Sequence, residues 1–122
     1  MSQQTVPEEF LAEPARYFLE FIPKSLETRD DLPARLAGMN AVVQMSLDGD
    51  RGGTWHFLVK DGAVTVGAGD PPAAPDIGVT MTVDTWRKIR RRELNAQAGV
   101  MTGQIRIKGN LGLAIKLGPL FN

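Results

Sequence analysis

The sequence predicts an α+β domain, one sheet of five strands carrying helices over one face. Three observations point there. Apolar residues alternate with polar or small ones in short runs between residues 41 and 108, the period of half-buried strands. Asp61-Gly62 stands between two of those runs, a strong hairpin signal. Proline, glycine and short polar residues mark helix starts and stops on either side of the strand-rich part.

The chain opens with helices. Thr5 is placed to cap the first, with Pro7 in the first turn and Glu8 three residues after the cap. Pro14 ends that segment and starts another. Phe10, Tyr17, Phe18, Phe21 and Ile22 share one side of the helical spiral and are expected to face the core. Pro23 is expected to close this segment. A short helix then begins at Asp30 or Asp31, with Pro33 early in it and Gly38 at its end.

Three strands follow. Ala41 to Leu47 is the first and Thr54 to Lys60 the second, with Trp55, Phe57 and Val59 on one side. Ala63 to Gly67 is the third, returning through the Asp61-Gly62 turn. After the stiff loop GDPPAAP, Asp76 to Thr82 forms the fourth strand. Thr82 or Asp84 caps the next helix, which turns Trp86 and Ile89 inward and its basic residues outward. Asn95 caps a short helix with Leu94, Ala98 and Met101 on one side, ended by Gly103. Gln104 to Lys108 alternates as the fifth strand. Gly109 breaks it and Asn110 caps a last helix, Leu111 to Leu117.

That last helix is apolar almost all round, with Lys116 its one charge. With one side on a sheet, its other side calls for an apolar cover: more protein, a partner, or a lipid.

Composition excludes several chemistries. The 122 residues suit one domain, 1–122, with a helical N-terminal part over 1–39. With no cysteine there is no disulfide and no thiol nucleophile. His56 is the one histidine and stands in no metal-ligand spacing, so no metal is expected. Serines lack a nucleophile-elbow context and glycines form no phosphate loop, so no cofactor and no catalytic residue is expected. Charge is balanced overall but uneven: residues 87–108 hold seven bases and one acid. Arg87, Arg90, Arg91 and Arg92 are candidates for an anionic headgroup or membrane surface. No aromatic residue interleaves with the bases, which argues against nucleic acid. No apolar run reaches the ~18 residues that span a bilayer. The first residues lack a signal-peptide pattern, so a cytoplasmic protein is expected.

Met39, Met45, Met81 and Met101 add pliable apolar surface, suited to varied chains. Gln97 and Gln104 are candidate polar contacts.

Gly103 to Leu117, GQIRIKGNLGLAIKL, resembles the strand-turn and GLAxKL helix of the sterol carrier protein 2 (SCP-2) sterol transfer family. DIGVTM at 76–81, Thr85-Trp86, Leu94-Asn95-Ala96-Gln97, Trp55 and the Lys60-Asp61-Gly62 turn are similar to further family motifs, so the resemblance covers 40–121. Arg92-Glu93 stand where the family has Gly-Lys, and Ala96 replaces its proline. The resemblance implies a stand-alone, bacterial-type member with a mainly antiparallel sheet and a hydrophobic tunnel under its helices. It implies non-catalytic binding and transfer of fatty acid, fatty acyl-CoA, sterol or phospholipid; a monomer or weak homodimer is expected. Carried onto this chain, the lining candidates are Met81, Trp86, Ile89, Met101, Ile105, Leu111, Ile115 and Leu117, with Leu120 and Phe121 as a lid. An accessory scaffold presenting an isoprenoid or other hydrophobic intermediate to an enzyme is the alternative. An enzyme using His56, Asp76 and Asp84 on an apolar substrate ranks third.

Overall fold

A computed structural model describes residues 6–117. The expected Thr5 cap and the Leu120–Phe121 lid lie outside the described residues.

The strands are β1 (Asn40–Asp48), β2 (Gly53–Lys60), β3 (Ala63–Ala68), β4 (Ile77–Thr82) and β5 (Arg106–Gly109), in the order β3-β2-β1-β4-β5. β1 and β4 run parallel, and the other three pairings are antiparallel. The register carries the alternation across the sheet. Phe57 lies opposite Val43 and Val66, and Val43 opposite Ile77. Each strand therefore turns the same parity inward, and Ala41, Val43, Met45, Leu47, Trp55, Phe57, Val59, Ile77 and Met81 are buried. The other face carries Gln44, Ser46, His56 and Thr80, half-buried beside Val42 and Leu58. That polar lining is what a sheet shows when helices cover one side only.

The helices are α1 (Glu8–Ala12), α2 (Pro14–Arg16), α3 (Ile22–Glu27), α4 (Leu32–Arg35), α5 (Val83–Arg90), α6 (Ala96–Met101) and α7 (Leu111–Lys116). A π-helical turn, Tyr17–Phe21, joins α2 to α3. Pro23 does not close this segment, as expected from sequence; it sits inside the first turn of α3. Proline in a continuing α-helix loses a hydrogen bond and strikes the carbonyl four residues back. Here the turn ahead of it is widened, with the Ile22 N–H donating to Tyr17 five residues earlier. The spiral is loosened where the ring must fit.

The π turn also sets the core. Phe18 stacks on Trp55 with centroids 4.6 Å apart and meets Phe57 edge-on at 6.0 Å. Tyr17 meets Trp86 edge-on at 5.0 Å. Such pairs each add about 0.5–1.5 kcal/mol beyond their buried area. This cluster ties the N-terminal helices to β2 and to α5.

The β2–β3 turn is fixed from below. Asp61 accepts from Gly38 N–H at 2.9 Å through its side chain and donates its own N–H to Met39 at 2.9 Å.

Candidate functional site

The C-terminal third, from α5 to α7, gathers most of the lining candidates. Thr82 caps α5, its hydroxyl accepting from the Thr85 N–H at 3.1 Å. This start aims Val83 and Trp86 into the core, both 3% exposed. Ile89, one turn on, is half-buried against the same core. Met81 and Ile105 are buried, and Leu117 is completely so.

Asn95 caps α6, accepting from Gln97 and Ala98 N–H at 2.8 and 3.3 Å. The buried position of α6 is Gly99, in contrast to the expected Ala98–Met101 side, and Met101 is 80% exposed. The reason is a close approach. A Cβ on Gly99 would lie 2.7 Å from Ile105 Cδ1, so the bare glycine lets α6 rest on Ile105 at the entry to β5 without moving that side chain. Gln97 and Gln104 are exposed, and Gln104 donates to the Thr102 hydroxyl at 3.0 Å.

α7 has two apolar sides. Asn110 caps it, accepting from Leu113 N–H at 3.0 Å. Leu113 and Ala114 pack on the core and Leu117 follows them inward. Leu111 and Ile115, four residues apart on the opposite side, are 58% and 79% exposed. The two sides expected from sequence are thus both present, and the outer one is open to a partner molecule.

The basic residues of α5 are arranged otherwise than a free headgroup patch. Arg87 donates to the Leu11 and Ala12 carbonyls at 2.8 and 3.4 Å. Arg90 donates to the Tyr17 hydroxyl at 3.0 Å, and Arg91 pairs with Glu8 at 2.9 Å. The Arg91 guanidinium holds the Glu8 carboxyl below its ordinary range. Three of the four arginines named for headgroups therefore clamp α5 to the N-terminal helices. Arg92 is exposed, with a left-handed φ of 62°. Sequence reading missed this clamp, although the spacing 87, 90, 91 puts these three on one helical stripe and the acid Glu8 stands at the other end of the contact.

His56, Asp76 and Asp84 are not brought into one cluster; each has its own structural partner. His56 lies on the uncovered sheet face with Nδ1 2.9 Å from the Gly69 carbonyl. The Asp76 carboxylate accepts from the Val42 N–H at 2.8 Å and so fixes the start of β4 beside β1. Asp84 is exposed in the first turn of α5, 3.7 Å from Arg87. Among the described residues no group of three or more His, Asp or Glu is placed to hold a metal.

The described residues thus form a helix-on-sheet domain covered on one side, with an apolar terminal helix exposed on its far side. The model of the SCP-2 sterol transfer family matches residues 22–122, and the chain belongs to that family. Hydroxysteroid dehydrogenase-like protein 2 of Bos taurus is 38% identical over 82 residues, 67% of this chain and 20% of that protein. The chain thus spans about one fifth of the length of the curated relatives it matches. Palmitated SCP2L2 from Aedes aegypti shares the fold with a TM-score of 0.65 at 24% identity, over 86% of this chain and 91% of that one. The UbiJ-SCP2 ubiquinone synthesis protein does so with a TM-score of 0.63 at 17% identity, over 93% and 96%. Membership of this family supports lipid binding or transfer. No helix among the described residues is long and apolar enough to cross a membrane.

Proposed function

We propose that this domain binds one lipid by its apolar tail, between α5, α6, α7 and the sheet, and releases it without covalent chemistry. The observation that carries the reading is the double-sided α7, with Leu113 and Leu117 inward and Leu111 and Ile115 open. Met81, Trp86, Ile89, Ile105 and Leu117 form the inner wall in this reading. Met101, Leu111 and Ile115 stand at the mouth in this reading. Each buried CH₂ contributes about 0.8 kcal/mol, so an acyl chain binds firmly with few polar contacts. Fatty acid, fatty acyl-CoA, sterol and phospholipid all satisfy this requirement, and the palmitate carried by the Aedes aegypti neighbour supports the first. Arg92, Lys88 and Lys116 are exposed cations and are the ones this reading offers to an anionic headgroup or membrane surface. The reading places the domain in the cytoplasm.

The alternative is presentation of an isoprenoid or similar intermediate to a biosynthetic enzyme, supported by the fold shared with a ubiquinone synthesis protein. Native mass spectrometry of freshly purified protein, followed by titration of the delipidated form with a fluorescent fatty acid, tests the main reading. Saturable one-to-one uptake is expected. A protein that carries no lipid and takes up none overturns it. Retention of a bound isoprenoid with no exchange to vesicles favours presentation.

A further inference from the structure

The two ends of the sheet are unlike. β5 closes one end with four residues, two of them the exposed cations Arg106 and Lys108. Short length and charge are the usual protections of an edge strand. β3 closes the other end with Ala63-Val-Thr-Val-Gly-Ala68, six residues with no charge and no proline.

The hydrogen-bond parity of β3 is set at both ends. Its hairpin pairs Lys60 with Ala63 around the two-residue turn, and Gly69 N–H donates to Thr54 at 2.8 Å. Ala63, Thr65 and Gly67 therefore bond to β2. Val64, Val66 and Ala68 point their N–H and C=O groups away from it. Among the described residues none of these outward groups makes a hydrogen bond. Beside them runs an open groove of about 470 Å³ between α3, α4 and β3, walled by Leu26, Pro33, Val64 and Val66 and by the charged Glu27 and Arg29.

We propose that this edge is a self-association surface, taken by β3 of a second copy in antiparallel pairing about a two-fold axis at Val66. The occupant follows from the pattern. The outward groups at 64, 66 and 68 are spaced evenly about Val66. A two-fold copy sets Val66 opposite its equivalent and Val64 opposite Ala68, and every outward group finds a partner with no register gap. Pairing keeps side-chain parity, so the second copy's Val64 and Val66 fall on the groove side. No charge lies on the strand to repel its equivalent across the axis. The product is a continuous ten-stranded sheet. A strand pairing of this length buries less than the ~1,200 Å² of standard stable interfaces, so the dimer is weak and dissociates on dilution.

The test is sedimentation of the purified chain from micromolar to millimolar concentration, with amide exchange read residue by residue. A reversible dimer is expected, with the Val64, Val66 and Ala68 amides slowing on the order of tenfold with concentration. The Thr65 and Gly67 amides should be protected throughout. Val66→Pro removes one outward N–H and spares the β2 ladder. Thr65→Lys charges the exposed face next to the axis and serves if the proline variant fails to fold. Both are expected to be monomeric. A monomer at every concentration overturns the proposal. So does a dimer in which the three outward amides exchange unchanged, or their protection in the monomer by a bound extended peptide.

Discussion

Arg87 Nε donates to the Leu11 carbonyl at 2.8 Å, joining α5 to α1 across 76 residues of chain. Leu11 is 1% exposed, so its carbonyl has little access to water. A buried acceptor that loses a charged donor costs about 1.5–3 kcal/mol. The Arg87 side chain is itself 24% exposed, and solvent recovers part of that sum. Arg87→Ala is expected to lower unfolding stability by about 1–2 kcal/mol in urea titration. Arg91→Ala, which breaks an exposed pair with Glu8, is expected to cost clearly less. Equal effects would mean that the clamp is not where the α1–α5 contact is held.

The turn before α4 carries a pH-dependent contact. Asp31 accepts from Arg29 at 2.9 and 3.0 Å and lies 3.1 Å from Arg35. The Arg29 hydrogen bonds chiefly hold its carboxyl down from the ordinary 3.8 to about 2. A depressed folded pKa stabilises above the unfolded value and loses that contribution as pH falls through the folded one. Wild-type stability is therefore expected to drop between about pH 4 and pH 2 by more than that of Asp31→Asn. Parallel pH profiles for the two proteins would show that this pair contributes nothing.

Gly109 makes the turn from β5 into α7. Its φ is 101°, and a Cβ there would lie 2.1 Å from the Asp76 carbonyl oxygen. Both the conformation and the space refuse a side chain. Gly109→Ala is expected to destabilise the fold by more than about 3 kcal/mol, through strain and overpacking together. Thermal unfolding measures this, and loss of ordered resonances from 110 to 117 would show α7 lifting off first. A normal melting curve would mean that the β4–β5 end adjusts freely.

The strands were legible because a buried-face alternation has one period and one register. Trp55, Phe57 and Val59 sit as their spacing requires. The caps at Asn95 and Asn110 were legible for a similar reason, since a short polar side chain before an apolar run has few other uses. Pro23 was misread because a π turn leaves no mark in periodicity; it shows only in which carbonyl the Ile22 N–H reaches. The inward place of Gly99 was hidden because a glycine carries no hydropathy signal, and only the approach of Ile105 explains it. The arginines of α5 read as a surface patch because their partners, Leu11 and Tyr17, lie more than 70 residues away.

The outer side of α7 separates binding from folding. Leu111 and Ile115 are 58% and 79% exposed, so replacing both with serine is expected to move stability within about ±0.5 kcal/mol. If the lipid tail covers that side, the double variant loses apolar contact with it. Each 1.4 kcal/mol lost weakens binding about tenfold. Leu111→Ser with Ile115→Ser is therefore expected to bind a fluorescent fatty acid at least about tenfold more weakly, with an unchanged melting temperature. Trp86→Ala, which belongs to the inner wall, is set apart by its cost in stability. It empties a buried site in the aromatic cluster and is expected to cost about 3–5 kcal/mol in stability. Undiminished uptake by the serine double variant would place the ligand elsewhere and return the outer face of α7 to a protein partner.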